Sequence, residues 1–414
     1  MLYVSLLALC VPSVIASEEP IEPIPSLNSI LHLPPILSAE FAYVSEPMFA
    51  LGGNRFNYAH GLEFTSQLST GFAHEDPSTW KEIDHWIFTF DAQQYYSTGD
   101  LAADMGVVNP SQEIFNPDGI YLGELSLTRN PGADPWYLKL GTISMDADFL
   151  SPAITSYYTH AAFNNQYNVA VEIFPISPMN SLGAVVGYSL PNNLMLKTGV
   201  YQLSAVRTDF DKRGWEFEVN PNNGLIEFIQ LEGPIGEYEE TISVCSPDDH
   251  TFSHRSRCKQ TEDVINELPE GSWQIGSFFG QDQEENGQRA SNNGIYGNLT
   301  IPVDIDVGVS NRFWLSGMYG FHPERNPVPM WVGSGWIMQG VFEQRHLDML
   351  MLGFSWTQLS FDNIDQRELL FEIEYGVVLT NTIMLQPNVQ WYIESPDATD
   401  SNLIVMGLGI HAGL

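Results

Sequence analysis

The sequence predicts an all-β protein, a transmembrane antiparallel β-barrel of the outer-membrane type with about 16 strands. Three observations predict it: a short apolar N-terminal run suited to export, no later apolar stretch near the ~20 residues that a spanning helix needs, and repeated apolar–polar alternation. Only helices and closed barrels satisfy every backbone polar group in lipid. A spanning chain without such helices must therefore be a barrel.

The composition favours a β-rich chain and excludes a partner class. The 414 residues include 51 Asp and Glu against 16 Lys and Arg, a formal net charge of −35. Such a charge repels phosphate backbones, so nucleic acid is excluded as a partner. Only 16% of the residues are charged and 12% are aromatic, with 34 Gly and 26 Pro, which is too apolar for disorder and suits many turns.

The N-terminal part divides into a signal and a lead-in. Residues 1–16, MLYVSLLALCVPSVIA, are predicted to be a signal peptide because an apolar run ends at a small-residue site with Val14 and Ala16. A lipoprotein signal at Cys10 is disfavoured, since Leu9 occupies the place of a small residue. Residues 17–40 are predicted to be a proline-rich extended lead-in, followed by a barrel domain over 41–414.

Alternation of period two marks the strands. Within the stretch 382–394, the odd positions from 383 are apolar, while the even positions from 386 are polar apart from Tyr392. Weaker patterns lie near 168–174 and 238–244. The clear patterns predict strands near 62–72, 84–95, 120–129, 136–144, 182–189, 194–203, 225–231, 272–279, 294–303, 306–315, 336–343, 347–358, 369–379, 382–394 and 404–414.

Two architectures use this pattern. In a soluble sandwich the apolar faces of two sheets pack together, whereas in a membrane barrel they contact lipid and the polar faces line a wet lumen. The export signal and the alternation up to the last residue favour the barrel. So do Trp136, Tyr375 and Trp391, which lie near the ends of apolar faces as interfacial aromatic residues do.

The chain resembles the carbohydrate-selective porins of the OprB family. The resemblance rests on FEIEYGVVLTNTIMLQPNVQWYIESP at 371–396, GIYLGELSL at 119–127, YLKLGTISMDADF at 137–149, FPISP at 174–178, NNGIYGNL at 292–299, and Gly52 with Gly53. It covers about residues 41–414. The chain departs from the family at Thr142, where a basic residue is usual, and at Leu414, where many barrels end in Phe.

The resemblance implies a 16-stranded outer-membrane barrel that passes mono- or small oligosaccharides by diffusion, with no cofactor, no metal and no catalysis. Its expected partners are carbohydrate solutes and outer-membrane lipid, and both a monomer and a homo-oligomer fit the sequence. A general or cation-selective diffusion porin and a secreted all-β sugar-binding protein are the alternatives. The sequence contains no G-x-S-x-G, H-E-x-x-H or Walker-type phosphate motif of an enzyme.

Selection of a sugar in a passive channel needs hydrogen-bonding groups matched to hydroxyls and aromatic faces for the C–H groups. Side chains that alternation places on the lumen face are therefore predicted to bind the solute. The alternative is that these groups only pair with one another and keep the pore wet. The predicted set is Glu124, Lys139, Arg312, Trp314, Glu372, Glu374, Gln386, Gln390 and Tyr392.

A cysteine pair marks one loop. Cys245 and Cys258 lie in an exported chain, so a disulfide between them is predicted. With His250 and His254 they also have the composition of a zinc site, which an oxidising compartment disfavours. The loop is basic at 255, 257 and 259, and it either folds into the acidic lumen or stays exposed.

Overall fold

The computed structural model describes residues 25–34, 36–51, 55–69, 86–129, 135–164, 174–203, 213–215, 217–219, 223–235, 268–283, 289–305, 307–326, 328–361, 364–394 and 403–414. Several predicted features lie outside these ranges: the signal peptide at 1–16, the disulfide between Cys245 and Cys258 with its two histidines, the weak strand at 238–244, and all but Phe174 of the one at 168–174.

The described residues form one closed antiparallel barrel in which each strand pairs with its neighbours in sequence and β1 pairs with β16. This confirms the predicted fold class. Short helices are α1 (Leu27–Leu31), α2 (Leu101–Met105) and α3 (Ala161–Asn164). The strands are β1 (Leu37–Leu51), β2 (Arg55–Ser69), β3 (Trp86–Ser97), β4 (Gly119–Arg129), β5 (Trp136–Ile143), β6 (Ser181–Leu190), β7 (Leu194–Gln202), β8 (Leu225–Pro234), β9 (Ser272–Gln283), β10 (Arg289–Pro302), β11 (Ser310–Gly320), β12 (Met330–Gln339), β13 (Met349–Phe361), β14 (Ile364–Val378), β15 (Ile383–Glu394) and β16 (Leu403–Gly413).

The two faces of the wall differ as the alternation indicates. On β14, Phe371 and Ile373 are 37% and 41% exposed, while Glu372 between them is completely buried. The apolar faces thus lie on the outside of a single closed sheet, which rules out the sandwich and its buried apolar seam. Within the described ranges, no helix has both the length and the apolar character to span a bilayer.

The seam of the barrel is the pair of β1 and β16, whose register runs from Ala42 opposite Gly413 to Leu51 opposite Ile404. The mouth where β1 begins and β16 ends is named here the proximal mouth, and the opposite one is the distal mouth. The backbone N–H of Leu414 donates to the carbonyl oxygen of Phe41 at 2.9 Å. β1 continues past the end of β16, and the N–H of Ala39 donates instead to Oδ1 of Asn28 at 2.7 Å. Helix α1 therefore completes the edge that β16 does not reach.

The N-terminal boundary differs from the predicted one. Residues 17–40 were expected to be an extended lead-in, but β1 starts at Leu37 and α1 occupies Leu27–Leu31. Ser26 caps this helix, because its side chain accepts a hydrogen bond from the N–H of Ser29 at 3.0 Å.

Two stretches of chain enter the lumen from the distal mouth. The first inward segment, residues 107–114, precedes β4, and the second, residues 144–164, follows β5. Backbone hydrogen bonds join them, from Glu113 to Thr159 at 2.9 Å and from Ala161 to Pro110 at 3.2 Å. Phe149, Ile154, Tyr158 and Phe163 of the second segment are at most 1% exposed, so this segment fills part of the lumen.

Candidate functional site

The inward segments are bound to the lumen face of β14 and β15, which is named here the dry side. The opposite side, on β4, β5, β7 and β8, carries partly exposed carboxylates and is named the wet side. On the dry side, Glu368 of β14 holds the first inward segment. Its carboxylate accepts hydrogen bonds from the N–H of Val108 at 2.9 Å and from the N–H and Nδ2 of Asn109 at 3.1 and 2.5 Å. Gln390 of β15 donates from Nε2 to the carbonyl oxygen of Ser111 at 2.8 Å.

Glu374 holds the second inward segment in the same way. Its carboxylate accepts hydrogen bonds from the N–H and the hydroxyl of Thr159 at 2.8 and 3.1 Å. Gln386 donates both to this carboxylate and, at 2.7 Å, to the carbonyl oxygen of Tyr157. Glu372 lies between these anchors and accepts a hydrogen bond from Nε2 of Gln390 at 2.9 Å.

Tyr392 joins both segments to β15. Nδ1 of His160 accepts a hydrogen bond from the N–H of Ala162 at 3.0 Å, which assigns the ring proton to Nε2. Nε2 then donates to the Tyr392 hydroxyl at 2.7 Å, and this hydroxyl donates to the carbonyl oxygen of Asn109 at 3.1 Å. Burial lowers the pKa of His160 to about 3, so the ring is uncharged at neutral pH.

Trp314 and Arg312 of β11 occupy different surroundings. The Trp314 indole is completely buried and donates from Nε1 to the hydroxyl of Tyr158 at 3.0 Å. Arg312 lies near the proximal mouth, where its Nε donates to the carbonyl oxygen of Pro269 at 2.5 Å and its Nη1 to Oγ of Ser310 at 2.9 Å. Trp314 thus packs against the second inward segment, and Arg312 fixes the chain that leads into β9.

The wet side borders a row of charged side chains, named here the charge ladder (Glu124, Lys139, Asp148, Lys197 and Glu232). Nζ of Lys139 lies 3.0 Å from Oε2 of Glu124 and 3.5 Å from Oδ2 of Asp148. Nζ of Lys197 lies 3.0 Å from Oε2 of Glu232 and donates to the backbone oxygen of Asp148 at 2.5 Å. The side chains of Glu124 and Glu232 are 18% and 24% exposed, against 9% and 11% for the lysines. The carboxylates of Glu124 and Glu232 are therefore the ladder groups most exposed to water, whereas that of Asp148 is buried.

Neutral groups fix the geometry of the ladder. The Tyr137 hydroxyl donates to Oδ1 of Asp148 at 2.8 Å. Oε2 of Glu232 accepts from Nε2 of Gln230 at 2.6 Å and of Gln274 at 3.4 Å. The Glu232 carboxylate, held by one amine and two amides, is a rigid acceptor, which suits repeated weak contact with hydroxyl groups.

The structure separates the predicted site residues into groups. Glu124 and Lys139 belong to the charge ladder, and Arg312 lies at the proximal mouth. The remaining residues were predicted to contact solute but contact protein instead, because the inward segments cover that side of the wall; they are Trp314, Glu372, Glu374, Gln386, Gln390 and Tyr392.

Sequence reasoning missed the other ladder residues. Lys197 lies on a predicted strand at an inward position, so alternation could have identified it. Glu232 falls one residue past the predicted strand 225–231, and Asp148 lies in a turn without periodicity. In the described part of the chain, no group of three His, Cys, Asp or Glu side chains is placed to hold a metal ion.

Comparison with known proteins identifies the family of the chain. A family profile described as "Carbohydrate-selective porin, OprB family" matches residues 80–414. The chain belongs to the OprB family. As an OprB-family porin with a closed barrel, the protein is a carbohydrate channel, and both features point away from an enzyme.

Solved structures of an OprB porin share this fold. The high-pH structure of Pseudomonas putida OprB is 15% identical with a TM-score of 0.71, and the match covers 91% of this chain and 94% of that chain. The low-pH structure of the same protein is 13% identical with a TM-score of 0.51, covering 91% and 92%. No curated protein sequence matches the chain.

Proposed function

We propose that this porin passes neutral mono- or small oligosaccharides across the bacterial outer membrane along the wet side of its lumen, with the charge ladder as the surface that the sugar contacts. The observation that carries this proposal is the position of Lys139 between Glu124 and Asp148, with Glu124 partly exposed beside it. The exposed apolar band, including Phe371 and Trp391, is the surface for outer-membrane lipid.

The chemistry of the ladder suits hydroxyl groups. A sugar hydroxyl donates and accepts hydrogen bonds, and the carboxylates of Glu124 and Glu232 accept while the amide of Gln274 donates. Because each carboxylate is already bound to an amine, its hold on a solute is weak. Weak contacts at several positions allow a solute to enter and also to leave.

A preference for cations over anions is the second candidate property. Glu40 of β1 and Glu63 of β2 face the lumen and are partly exposed, close to Asp91 of β3. Carboxylates on adjacent strands produce a negative potential that repels anionic solutes and attracts cations. Neutral sugars are therefore expected to pass faster than sugar acids of the same size.

Swelling of liposomes that contain the purified protein tests this function. We expect swelling in a neutral monosaccharide, slower swelling in its sugar acid, and slower sugar entry after Glu124→Gln or Glu232→Gln. Glu394→Gln is the matched control, since it removes one carboxylate from an exposed pair with Arg367. Ionic current without any sugar-driven swelling would contradict carbohydrate transport and favour a general or cation-selective channel.

The sequence fits both a monomer and a homo-oligomer. Chemical cross-linking in native membranes, followed by electrophoresis without heating, distinguishes a monomer from a larger assembly.

Cell fractionation tests the location of the protein. We expect the protein in the outer-membrane fraction, from which salt should not extract it and detergent should.

A further inference from the structure

One strand carries two carboxylates that hold different inward segments. Glu368 of β14 binds the backbone of Val108 and Asn109, and Glu374 of the same strand binds Thr159. Both glutamates are only 1% exposed. The inward segments have no continuous strand partners, so these carboxylates supply acceptors that a neighbouring strand would otherwise provide.

We propose that Glu368 and Glu374 are positioning residues that set the width of the sugar path. They do not touch the sugar; they fix the inward segments whose opposite surface borders the path. This inference rests on the proposed function, because it concerns the same lumen.

The contacts connect the two anchors to the charge ladder across the lumen. The second inward segment contains both Thr159, which Glu374 binds, and Asp148, which Lys139 and Lys197 bind. This segment therefore spans from β14 on the dry side to the ladder on the wet side. If Glu374 releases Thr159, the segment keeps its contacts with Gln386 and Tyr392 but loses the contact at Thr159, and the space beside the ladder changes.

The two anchors act on one unit, since backbone hydrogen bonds join the segments at Glu113 with Thr159 and at Ala161 with Pro110. Hydrogen bonds to an ionised acceptor are roughly twice as strong as those between neutral groups. Replacing either carboxylate with an amide keeps the shape of the side chain but weakens the hold on the backbone N–H groups. The joined segments then move as a pair.

The test compares Glu368→Gln and Glu374→Gln with wild type in liposome swelling, using a monosaccharide and a linear tetrasaccharide. We expect the rate for the tetrasaccharide relative to the monosaccharide to rise about tenfold, as the loss of a charge-assisted bond shifts the segments toward released states. Glu394→Gln removes the same charge at an exposed position and should leave the ratio unchanged. An unchanged ratio in both folded anchor variants would overturn the proposal.

A second pair of variants keeps the test decisive if an anchor variant fails to fold. Thr159→Val removes the hydroxyl that bonds Glu374 and leaves the barrel wall intact, whereas Thr159→Ser retains a hydroxyl. We expect the rate for the tetrasaccharide relative to the monosaccharide to be higher in the valine variant and close to the wild-type value in the serine variant. A role limited to barrel stability would instead lower the unfolding temperature without changing the ratio.

Ion current separates this inference from the proposed function. The size of polyethylene glycol that still enters the pore is read from the fall in single-channel conductance, without any sugar. A larger exclusion size in the anchor variants supports positioning even if wild type passes no sugar, and an unchanged size contradicts it.

Discussion

The hydroxyl of Tyr392 lies 2.7 Å from Nε2 of His160, at the place where both inward segments reach β15. The same hydroxyl lies 3.1 Å from the carbonyl oxygen of Asn109 and 2.9 Å from Oγ of Ser111. A single side chain of the wall thus contacts the first and the second segment together. Removing the Tyr392 hydroxyl should therefore loosen both inward segments at once.

Tyr392→Phe tests this connection. The variant keeps the ring but leaves the buried N–H of His160 without its acceptor, so we expect a loss of about 1–3 kcal/mol in the free energy that holds the segments. Single-channel recordings should show more frequent current fluctuations than wild type. Recordings as quiet as those of wild type would mean that the hydroxyl is dispensable.

Acidification should weaken the same contact. In the packed conformation the pKa of His160 is lowered by burial to about 3, whereas a released histidine titrates near ~6.5. The released form therefore gains a proton first, and the packed form loses stability as the pH falls from about 6.5 toward 3. Current fluctuations should rise between pH 7 and pH 4 in wild type. His160→Gln should respond less steeply, and an equal response would assign the effect to other groups.

Lys139→Met should change ion selectivity. The variant leaves Glu124 and Asp148 without their shared cation, so the zero-current potential in a KCl gradient should shift toward stronger cation preference. Removing one partner of a buried ion pair also destabilises a protein by about 3 kcal/mol, which should lower the unfolding temperature. The double variant Lys139→Met with Glu124→Gln should recover part of both changes. A potential equal to that of wild type would place the ladder outside the ion path.

Asn28→Ala tests the seam. The variant leaves the N–H of Ala39 without its acceptor, and we expect a cost of about 1–3 kcal/mol in barrel stability. Samples are heated before electrophoresis, which separates folded from unfolded barrels, and the measured quantity is the temperature at which half of the protein is unfolded. Asn28→Asp keeps an acceptor and should behave like wild type; equal midpoints for the alanine and wild-type chains would show that the cap does not stabilise the seam.

Alternation predicted a strand overlapping each of β2 to β16, although the predicted ranges for β2 and β12 were displaced along the chain. β1 was missed because its inward face includes Val44, Met48 and Ala50, which hides the alternation. β12 was predicted at 336–343 but spans Met330–Gln339, since its inward face carries Trp331 and Ile337 toward the filled part of the lumen. In both strands these inward side chains are apolar and buried in the interior of the barrel, so the sequence shows no polar residues at those alternate positions.

The same feature limited the prediction of the site. Alternation identifies which side chains point inward, as it did for Glu124 and Glu374, but not what covers them. The cover comes from segments without periodicity, such as 107–114, whose partners lie far along the chain. Separating a wet wall from a dry one therefore required contacts between distant residues.

The anchors of the inward segments have a consequence for biogenesis. Thr159 precedes Glu374 by 215 residues, and Asn109 precedes Glu368 by 259. During synthesis the segments emerge long before the strand that will fix them. Neither segment can be fixed until β14 has joined the barrel, so a chain truncated before β14 would lack the carboxylates that hold both segments.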